Sequence, residues 1–271
     1  MAKKKSTRTA SRVSGRVSAK RSIKRYGWTP DLPDQRDKIY TVPARVIGAL
    51  PPSVDLRGQC PAVVDQGELG SCTANAIAGA LEFNQMKQKI ADVFPPSRLF
   101  IYYNERVIEH SVNEDAGAMI RDGIKSVSKQ GACHEPLWPY DISQFKTKPS
   151  AAAYKDGLKH PAILYQRLTQ TLDQLKGCLA AGFPFVFGFT VYESFEGQAV
   201  AKSGKVPMPK SKEKQLGGHA VLGVGYDDAS KRFIVRNSWG TSWGMAGYFT
   251  IPYAYLTDSN LADDFWTIKQ V

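Results

Sequence analysis

The feature that most constrains this chain of 271 residues is a glycine-rich turn that leads into a cysteine and then into a helix. Residues 65–75 read DQGELGSCTAN. The apolar residues that follow recur at the spacing of one helical face, and they are Ala74, Ile77, Ala78 and Leu81. Ser71 is placed to cap this helix through its hydroxyl. Cys72 would then lie at the positive end of the helix dipole, where the pKa of a thiol falls and the reactive thiolate forms.

Two roles for Cys72 compete. A lone cysteine is more often a small, buried, apolar residue than a reactive group. A nucleophile needs a hydrogen-bond donor for the developing oxyanion, and Gln66 lies six residues earlier on a loop able to fold back toward the sulfur. The nucleophile also needs a base and a residue that orients the base, and the rest of the chain decides between the two roles.

His219 is the histidine best placed to be this base. It lies at the start of an apolar, strand-like run, LGGHAVLGVGYD, in which glycines leave room beside its ring. The next predicted strand ends in Asn237, which would accept a hydrogen bond from the ring, and Trp239 would shield that bond from water. The other histidines lie in polar or proline-containing segments, and they are His110, His134 and His160. The ordered set of Gln, Cys, His and Asn favours a catalytic site.

The chain resembles the papain-like cysteine peptidases, which have a cysteine near the mature N-terminus and a histidine and an asparagine far downstream. Here 147 residues separate Cys72 from His219, and 165 separate it from Asn237. The resemblance covers residues 51–271 and rests on the motifs VDLR, DQG, GSC, HAV, GVGY and NSWG. It implies an α+β, papain-like fold of two lobes, one helical and one an antiparallel β-sheet or barrel, with the active-site cleft between them.

Two positions depart from the family pattern. Leu69 stands where members usually carry a cysteine that forms a disulfide across the turn, so that bridge cannot form here. Thr73 stands where an aromatic residue usually follows the nucleophile. Both changes affect the packing of the loop and the start of the helix, and neither removes a catalytic group.

The resemblance also implies which residues bind the substrate. Residues 115–118 are similar to the stretch whose backbone pairs with the substrate chain. Asp263 falls near the floor of the pocket for the side chain two residues before the cleaved bond, although Asp264 competes for this place. A carboxylate there would accept a basic side chain. The substrate-binding residues implied in this way are Asp115, Ala116, Gly117, Ala118, Trp239 and Asp263.

The net charge of +11 belongs almost entirely to residues 1–25. This segment holds ten of the 36 Lys and Arg residues and none of the 25 acidic ones, so the rest of the chain is nearly neutral. We expect a disordered tail, which is either a solvated extension or makes a weak electrostatic contact with nucleic acid or an anionic surface. No segment has the apolar run of a membrane span or of a secretory signal, which favours the cytoplasm or a non-standard export route.

Residues 26–50 form a short, aromatic and proline-rich segment ahead of the part that resembles the mature enzyme. We predict that residues 26–40 lie as an extended strap over or near the cleft, anchored by Trp28 and Leu32. Packing of the strap on a distant face is the alternative, and unchanged activity of a chain starting at residue 38 would contradict an inhibitory role. The remainder is predicted to divide into a mainly helical lobe at residues 51–160 and a mainly β lobe at residues 161–271.

The remaining cysteines are Cys60, Cys133 and Cys178. We expect Cys60 and Cys133 to form a disulfide that joins the loop before Cys72 to the helical lobe, and Cys178 to be packed on a helix. The spacing of cysteines and histidines predicts no metal site, because only the adjacent Cys133 and His134 lie close together in sequence. The expected chemistry needs no cofactor.

The sequence therefore predicts a cysteine endopeptidase, expected to be a monomer, that acts on protein or peptide substrates. An acyl-transfer or processing enzyme on the same scaffold is the first alternative. The second is a non-catalytic binding protein whose basic tail contacts nucleic acid, with an affinity that falls steeply with salt. Retention of the complete set argues against a catalytically dead homologue, and this set is Gln66, Cys72, His219 and Asn237.

Overall fold

The computed structural model describes residues 26–271, so the predicted basic tail and its contact with nucleic acid or anionic surfaces lie outside the described residues. The described chain has an α+β fold of two lobes. Its helices are α1 (Ala44–Ile47), α2 (Cys72–Gln88), α3 (Arg98–Ile108), α4 (Ile120–Gln130), α5 (Ala151–Gly157), α6 (Leu172–Ala180), α7 (Gln198–Ser203) and α8 (Tyr253–Thr257). Its strands are β1 (Ile39–Tyr40), β2 (Ser53–Asp55), β3 (Leu164–Leu168), β4 (Phe185–Tyr192), β5 (Gln215–Asp227), β6 (Arg232–Arg236), β7 (Tyr248–Pro252) and β8 (Ala262–Gln270).

The helical lobe is built around α2, the helix that starts at Cys72. Its first ten residues are all buried, because α3, α4 and the sheet cover the helix from different sides. A helix buried all round needs small residues where its neighbours approach, and the alanine-rich sequence of α2 supplies them. Gly123 of α4 meets the same requirement, since a Cβ there would lie 2.5 Å from Ile77 Cδ1. The single apolar face seen in the sequence therefore understates how deeply α2 is buried.

Within residues 26–271, the β lobe is built on one mixed sheet of eight strands in the order β1-β3-β8-β4-β5-β6-β7, with β2 paired to β5. β1 and β3 run parallel, and the other pairs are antiparallel. β4 reads FVFGFTVY without polar alternation, because both of its faces are buried. On one face Phe187 stacks on Phe265 of β8, with 5.4 Å between the ring centroids.

Strand β5 brings the catalytic candidates of the β lobe to the cleft. It pairs with β4 on one side and β6 on the other, which sets His219 opposite Phe189 and lets Asn237 follow directly after β6. Helix α2 packs on the same strand, so its first residue, Cys72, reaches Ala220 within β5.

The chain ahead of Cys72 is fixed to the β lobe before it crosses to the helical lobe. β1 pairs with β3, and β2 pairs with β5 in antiparallel register, with Val54 opposite Tyr226. Ser53–Asp55 is therefore part of the sheet, although these residues fall in the predicted helical lobe. The reason is that β5 extends well beyond His219, to Asp227, and this extension offers backbone partners to β2.

The structure does not contain the predicted Cys60–Cys133 disulfide, because both residues are free cysteines. The Cys60 thiol donates to Leu56 O at 3.4 Å. Cys133 is buried in a separate small cluster of the helical lobe, beside Phe100. The two thiols lie in different packing environments, which sequence separation alone does not reveal. Cys178 is buried within α6.

Candidate active site

Cys72 is the first residue of α2 and is fully buried. Ser71 occupies the N-cap position, but its hydroxyl makes no capping bond. The hydroxyl instead hydrogen-bonds with the Tyr140 hydroxyl and accepts from Asn75 Nδ2 at 3.0 Å, so the predicted side-chain cap is wrong. Cys72 Sγ accepts a hydrogen bond from Ala220 N at 3.3 Å, which places the sulfur beside the residue that follows His219.

His219 and Asn237 form the predicted pair. His219 Nε2 lies 2.8 Å from Asn237 Oδ1, and that oxygen also accepts from Ser238 N at 2.9 Å. Because Oδ1 can only accept, Nε2 carries the hydrogen and Nδ1 is the ring nitrogen left for proton exchange. The Trp239 ring lies over the histidine with 5.0 Å between centroids, and both side chains are buried. The hydrogen bond between His219 and Asn237 is thereby kept from water.

Gln66 is held in place by the loop that carries Asn237. Its backbone N donates to Ser238 O at 2.8 Å, and its Oε1 accepts from the Ser238 hydroxyl at 2.6 Å. Nε2 donates to Leu69 O at 2.9 Å, which uses one of its two hydrogens. Ser238 is a positioning residue that the sequence analysis missed. The signal for it was its place in the NSWG motif, directly after Asn237.

Residues 115–118 serve two purposes in the structure. The Asp115 carboxylate accepts from Gly70 N at 3.0 Å and from the Tyr102 hydroxyl, so this side chain fixes the loop that precedes Cys72. The backbone of Ala118 pairs with another chain segment, as expected for a substrate-binding stretch, but the segment is the protein's own N-terminal strap. Ala118 N donates to Gly27 O at 2.7 Å, and Thr29 N donates to Ala118 O at 3.1 Å.

The strap, residues 26–40, passes through the cleft directly over the catalytic candidates. Trp28 N donates to Gly218 O at 3.0 Å on the wall opposite Ala118. The fit is tight at Gly27, where a Cβ would lie 1.7 Å from Gly70 O. Tyr26 contacts the His219 ring edge-on, with 6.2 Å between centroids. The strap therefore occupies both walls of the cleft and covers the space in front of Cys72.

The Trp28 side chain fills a pocket next to the nucleophile. Two glycines line this pocket, and a Cβ on Gly188 would lie 1.9 Å from the indole ring, while one on Gly218 would lie 2.6 Å from it. Trp28 Nε1 donates to Asp264 Oδ2 at 3.1 Å. Asp263 pairs with Arg167 at 3.0 Å, with 46% of its side chain exposed. Asp264, whose side chain is buried, takes the place beside the pocket that the resemblance assigned to Asp263. Its backbone is left-handed, with φ of 57°, where the pairing of β8 with β4 shifts register, so the regular alternation of a strand is broken there.

A buried network of charges holds the strap beyond Trp28. Asp31 N donates to Asp264 Oδ2 at 2.7 Å, and Arg167 bonds Asp264 Oδ1 at 2.9 Å. Burial, and then the proximity of Asp31, raise the pKa of Asp264 to about 7, and burial also raises the pKa of Asp31. The pair holds a proton more tightly than free carboxyl groups would.

Arg121 of α4 is the second anchor of the strap. Its guanidinium lies 2.6 Å from Asp37 and bonds the carbonyl of Leu32. The Leu32 side chain is 68% exposed, so the prediction that it anchors the strap is wrong. Its backbone carbonyl makes the contact instead, and backbone contacts of this kind leave no pattern in a sequence.

The pKa of Cys72 moves opposite to the sequence-based prediction. Burial raises the pKa of the Cys72 thiol to about 12, against the weaker effects of N–H groups from Ala220, Gly27 and Thr73 that favour the thiolate. The N-terminal position on the helix is as predicted, but the strap excludes the water that a thiolate needs. Burial under the strap therefore favours the protonated thiol over the thiolate.

Comparisons with known proteins agree with this geometry. The family model for papain family cysteine proteases matches residues 50–265. The chain belongs to the papain family of cysteine proteases. As a member of this family, it is a hydrolase of the thiol protease class. Its two-lobe α+β fold is the one predicted from the sequence.

Two similar proteins cover most of the chain. Xylellain, a cysteine protease from Xylella fastidiosa of known crystal structure, is 49% identical, with a TM-score of 0.86 over 91% of this chain and 96% of that one. An uncharacterised peptidase C1-like protein of Acanthamoeba polyphaga mimivirus is 46% identical over 91% of this chain and 87% of its own length. Among residues 26–271, no helix combines the length and apolarity that crossing a bilayer requires.

Proposed function

We propose that this papain-family protease cleaves peptide bonds within protein or peptide substrates through Cys72 and His219. The observation that supports this proposal is that hydrogen bonds connect the four candidate residues. Ala220 N contacts the Cys72 sulfur, His219 is bonded to Asn237, and Ser238 links that asparagine to Gln66. The sulfur thus lies beside the residue that follows the proposed base, and the base has the orienting partner that nucleophilic catalysis by a thiol requires.

The proposed reaction begins with transfer of the Cys72 proton to His219 Nδ1. The thiolate attacks the carbonyl carbon of the substrate, a C–S bond forms, and the carbonyl electrons move to oxygen. The Cys72 backbone N–H and the second hydrogen of Gln66 Nε2 stabilise this oxyanion. His219 then protonates the leaving amine as the C–N bond breaks. Water, deprotonated by His219, hydrolyses the thioester and restores the thiol.

We further propose that the strap inhibits the enzyme until it leaves the cleft. Ala118 and Gly218 offer backbone partners on both walls, and residues 27–29 occupy them. A substrate chain needs the same partners and the same space. Departure of the strap also returns water to the sulfur, which lowers the cost of forming the thiolate at the helix N-terminus.

Covalent labelling tests the assignment of the nucleophile. We expect an epoxide thiol reagent to modify one cysteine of the Gly27→Ala protein, in which the added Cβ clashes with Gly70 O and displaces the strap. Hydrolysis of fluorogenic dipeptide substrates should be lost to the same extent as the thiol is modified. In this background Cys72→Ala should remove both signals, whereas Cys178→Ala, at another buried thiol, should keep both. Labelling that persists in Cys72→Ala, or hydrolysis unaffected by modification, would reject the assignment. Mass spectrometry of the products separates hydrolysis from peptide joining.

We expect docking of the strap to weaken as the pH rises from about 4 to about 7. The docked pair of Asp31 and Asp264 has a raised pKa, and the released pair has an ordinary one. Docking of the strap therefore takes up protons. The free energy of docking is most favourable below about pH 4, the ordinary pKa of a carboxyl group. It becomes less favourable as the pH rises, until the pH passes the pKa of about 7 that Asp264 has in the docked state. The charged groups that face the pair are Arg121 of α4, Arg167 of β3, Asp37 of the strap and Asp263 of β8.

The measurement is the rate of epoxide labelling of the full-length protein divided by that of Gly27→Ala, whose strap is expected to be displaced. The ratio should rise by about tenfold or more between pH 5 and pH 7.5, since loss of one proton changes the docking constant by up to about tenfold per pH unit. Asp264→Asn should flatten this dependence. A ratio that is constant with pH would contradict the linkage.

A further inference from the structure

A cluster of donor atoms lies in the helical lobe, outside the cleft. Asp92 is on the loop after α2, His134 precedes a short 3₁₀ turn, and His160 follows α5. One ligand atom from each of these three residues lies within 4.8 Å of the other two. Asp92 and His134 are 42 residues apart in sequence, and His134 and His160 are 26 residues apart, so the sequence contains no short metal-ligand spacing that would predict this cluster.

The orientation of His134 is fixed by Asp156. The Asp156 carboxylate lies 2.7 Å from His134 Nδ1 and also accepts from the His134 backbone N at 3.1 Å. Nδ1 therefore carries a hydrogen toward Asp156, which leaves Nε2 as an acceptor unless the ring takes up a second proton. Nε2 lies 3.2 Å from the Asp92 carboxylate, which is also an acceptor. Two acceptors at this distance repel each other unless a cation lies between them or the ring takes up a second proton.

His160 completes the cluster from a third direction. Its ring lies 5.2 Å from that of His134, at 77° between the planes. Phe94 stacks on His134 with 3.7 Å between centroids and also contacts His160, so an apolar wall closes one side.

We propose that Asp92, His134 and His160 bind one zinc ion, with water as the fourth ligand. Two ligands of one tetrahedral zinc ion lie about 3.3 Å apart, given bonds of about 2.0 Å, and the distance from Asp92 to His134 is 3.2 Å. Two imidazoles with one carboxylate are a donor set that suits zinc. Asp156 acts as the carboxylate that orients a metal-bound histidine from its far nitrogen. Lys159, 3.4 Å from Asp156, is the cation that offsets this carboxylate.

The zinc ion would fasten three separate segments of the helical lobe. His134 forms a β-bridge with Pro96, and Glu135 N donates to Pro95 O at 2.9 Å, so the site joins a region already paired by its backbone. Glu135 in turn binds Arg98 at 2.8 Å. The proposed role is structural, because these contacts support the helical lobe and none of the three ligands lies in the cleft.

Zinc titration of full-length Cys72→Ser tests the proposal, since this substitution removes the nucleophilic thiol as a competing ligand. We expect isothermal calorimetry to detect one site per chain and zinc to raise the melting temperature. Asp92→Asn and His160→Ala should each weaken zinc binding by about tenfold or more. His110→Asn, at a histidine outside both the cluster and the cleft, should bind zinc as the parent does. Equal affinity in the parent and in His160→Ala would overturn the proposal.

A second readout separates zinc binding from double protonation of His134. In nitrogen NMR spectra at pH 7.5, zinc should shift the Nε2 resonance of His134 while Nδ1 keeps its proton. A His134 ring that remains protonated on both nitrogens in excess zinc would overturn the proposal, because the second proton would then occupy the place assigned to the metal.

Discussion

His219→Ala should lower kcat for peptide hydrolysis by about 10⁴-fold or more, an effect of the size seen when the base of a catalytic unit is removed. Without the imidazole, no group takes the Cys72 proton and none protonates the leaving amine. The side chain is buried between aromatic rings, among them Phe189 and Trp239, so the measurement pairs steady-state kinetics with a melting curve.

A substitution at another histidine serves as the control for His219→Ala. His110 has a left-handed backbone conformation, which asparagine tolerates, so His110→Asn should retain the parent kcat. Gln66→Ala should give an intermediate loss of about 10²- to 10³-fold, as expected when one oxyanion donor is removed. A His219→Ala protein that is folded and keeps more than a tenth of the parent kcat would reject the assigned base.

Gly27→Ala should increase peptide hydrolysis by the full-length protein, by about tenfold or more. The added Cβ would lie 1.7 Å from Gly70 O, and this contact involves backbone on both sides, so neither partner can rotate away. The strap must leave the cleft to relieve the clash. While the strap-covered form predominates, each 1.4 kcal/mol lost from the free energy of docking raises the population of the open form about tenfold.

Gly58→Ala is the control for a glycine substitution of the same size, since a Cβ at Gly58 meets nothing within 4 Å. Its activity should equal that of the parent. A chain starting at residue 38 should reproduce the gain of Gly27→Ala. If both alterations leave the rates of labelling and hydrolysis unchanged, the strap occupies the cleft without limiting access to Cys72, and its proposed inhibitory role is wrong.

Much of the candidate site could be predicted because its residues stand in locally distinctive contexts. Cys72 follows a glycine turn and opens a helix, His219 is set among glycines on an apolar strand, and Asn237 ends the next strand. In the structure Cys72 begins α2, His219 lies within β5, and Asn237 directly follows β6. Local patterns of this kind depend on short-range sterics and on helix or strand periodicity, both of which a sequence displays.

The predictions that failed depended on contacts between distant segments. The strand Ala262–Gln270 has no clear signal in the sequence, because buried and polar residues mix there without a clean alternation. Pairing with β3 and β4 decides its conformation. The Cys60–Cys133 disulfide was wrong because the two thiols pack in different places. Burial beneath the strap likewise reversed the predicted pKa shift of Cys72, since desolvation outweighs the helix dipole there.

The sequence by itself determined the family, the two-lobe fold and the four residues of the proposed catalytic set, because each is encoded in short motifs whose order along the chain is visible. The tertiary structure alone decided which pocket Trp28 fills, that Asp264 rather than Asp263 lies beside it, and that Asp92, His134 and His160 meet. These outcomes depend on the packing of segments far apart in sequence. Their positions follow from the balance of burial and hydrogen bonding over the whole fold, which no local pattern records.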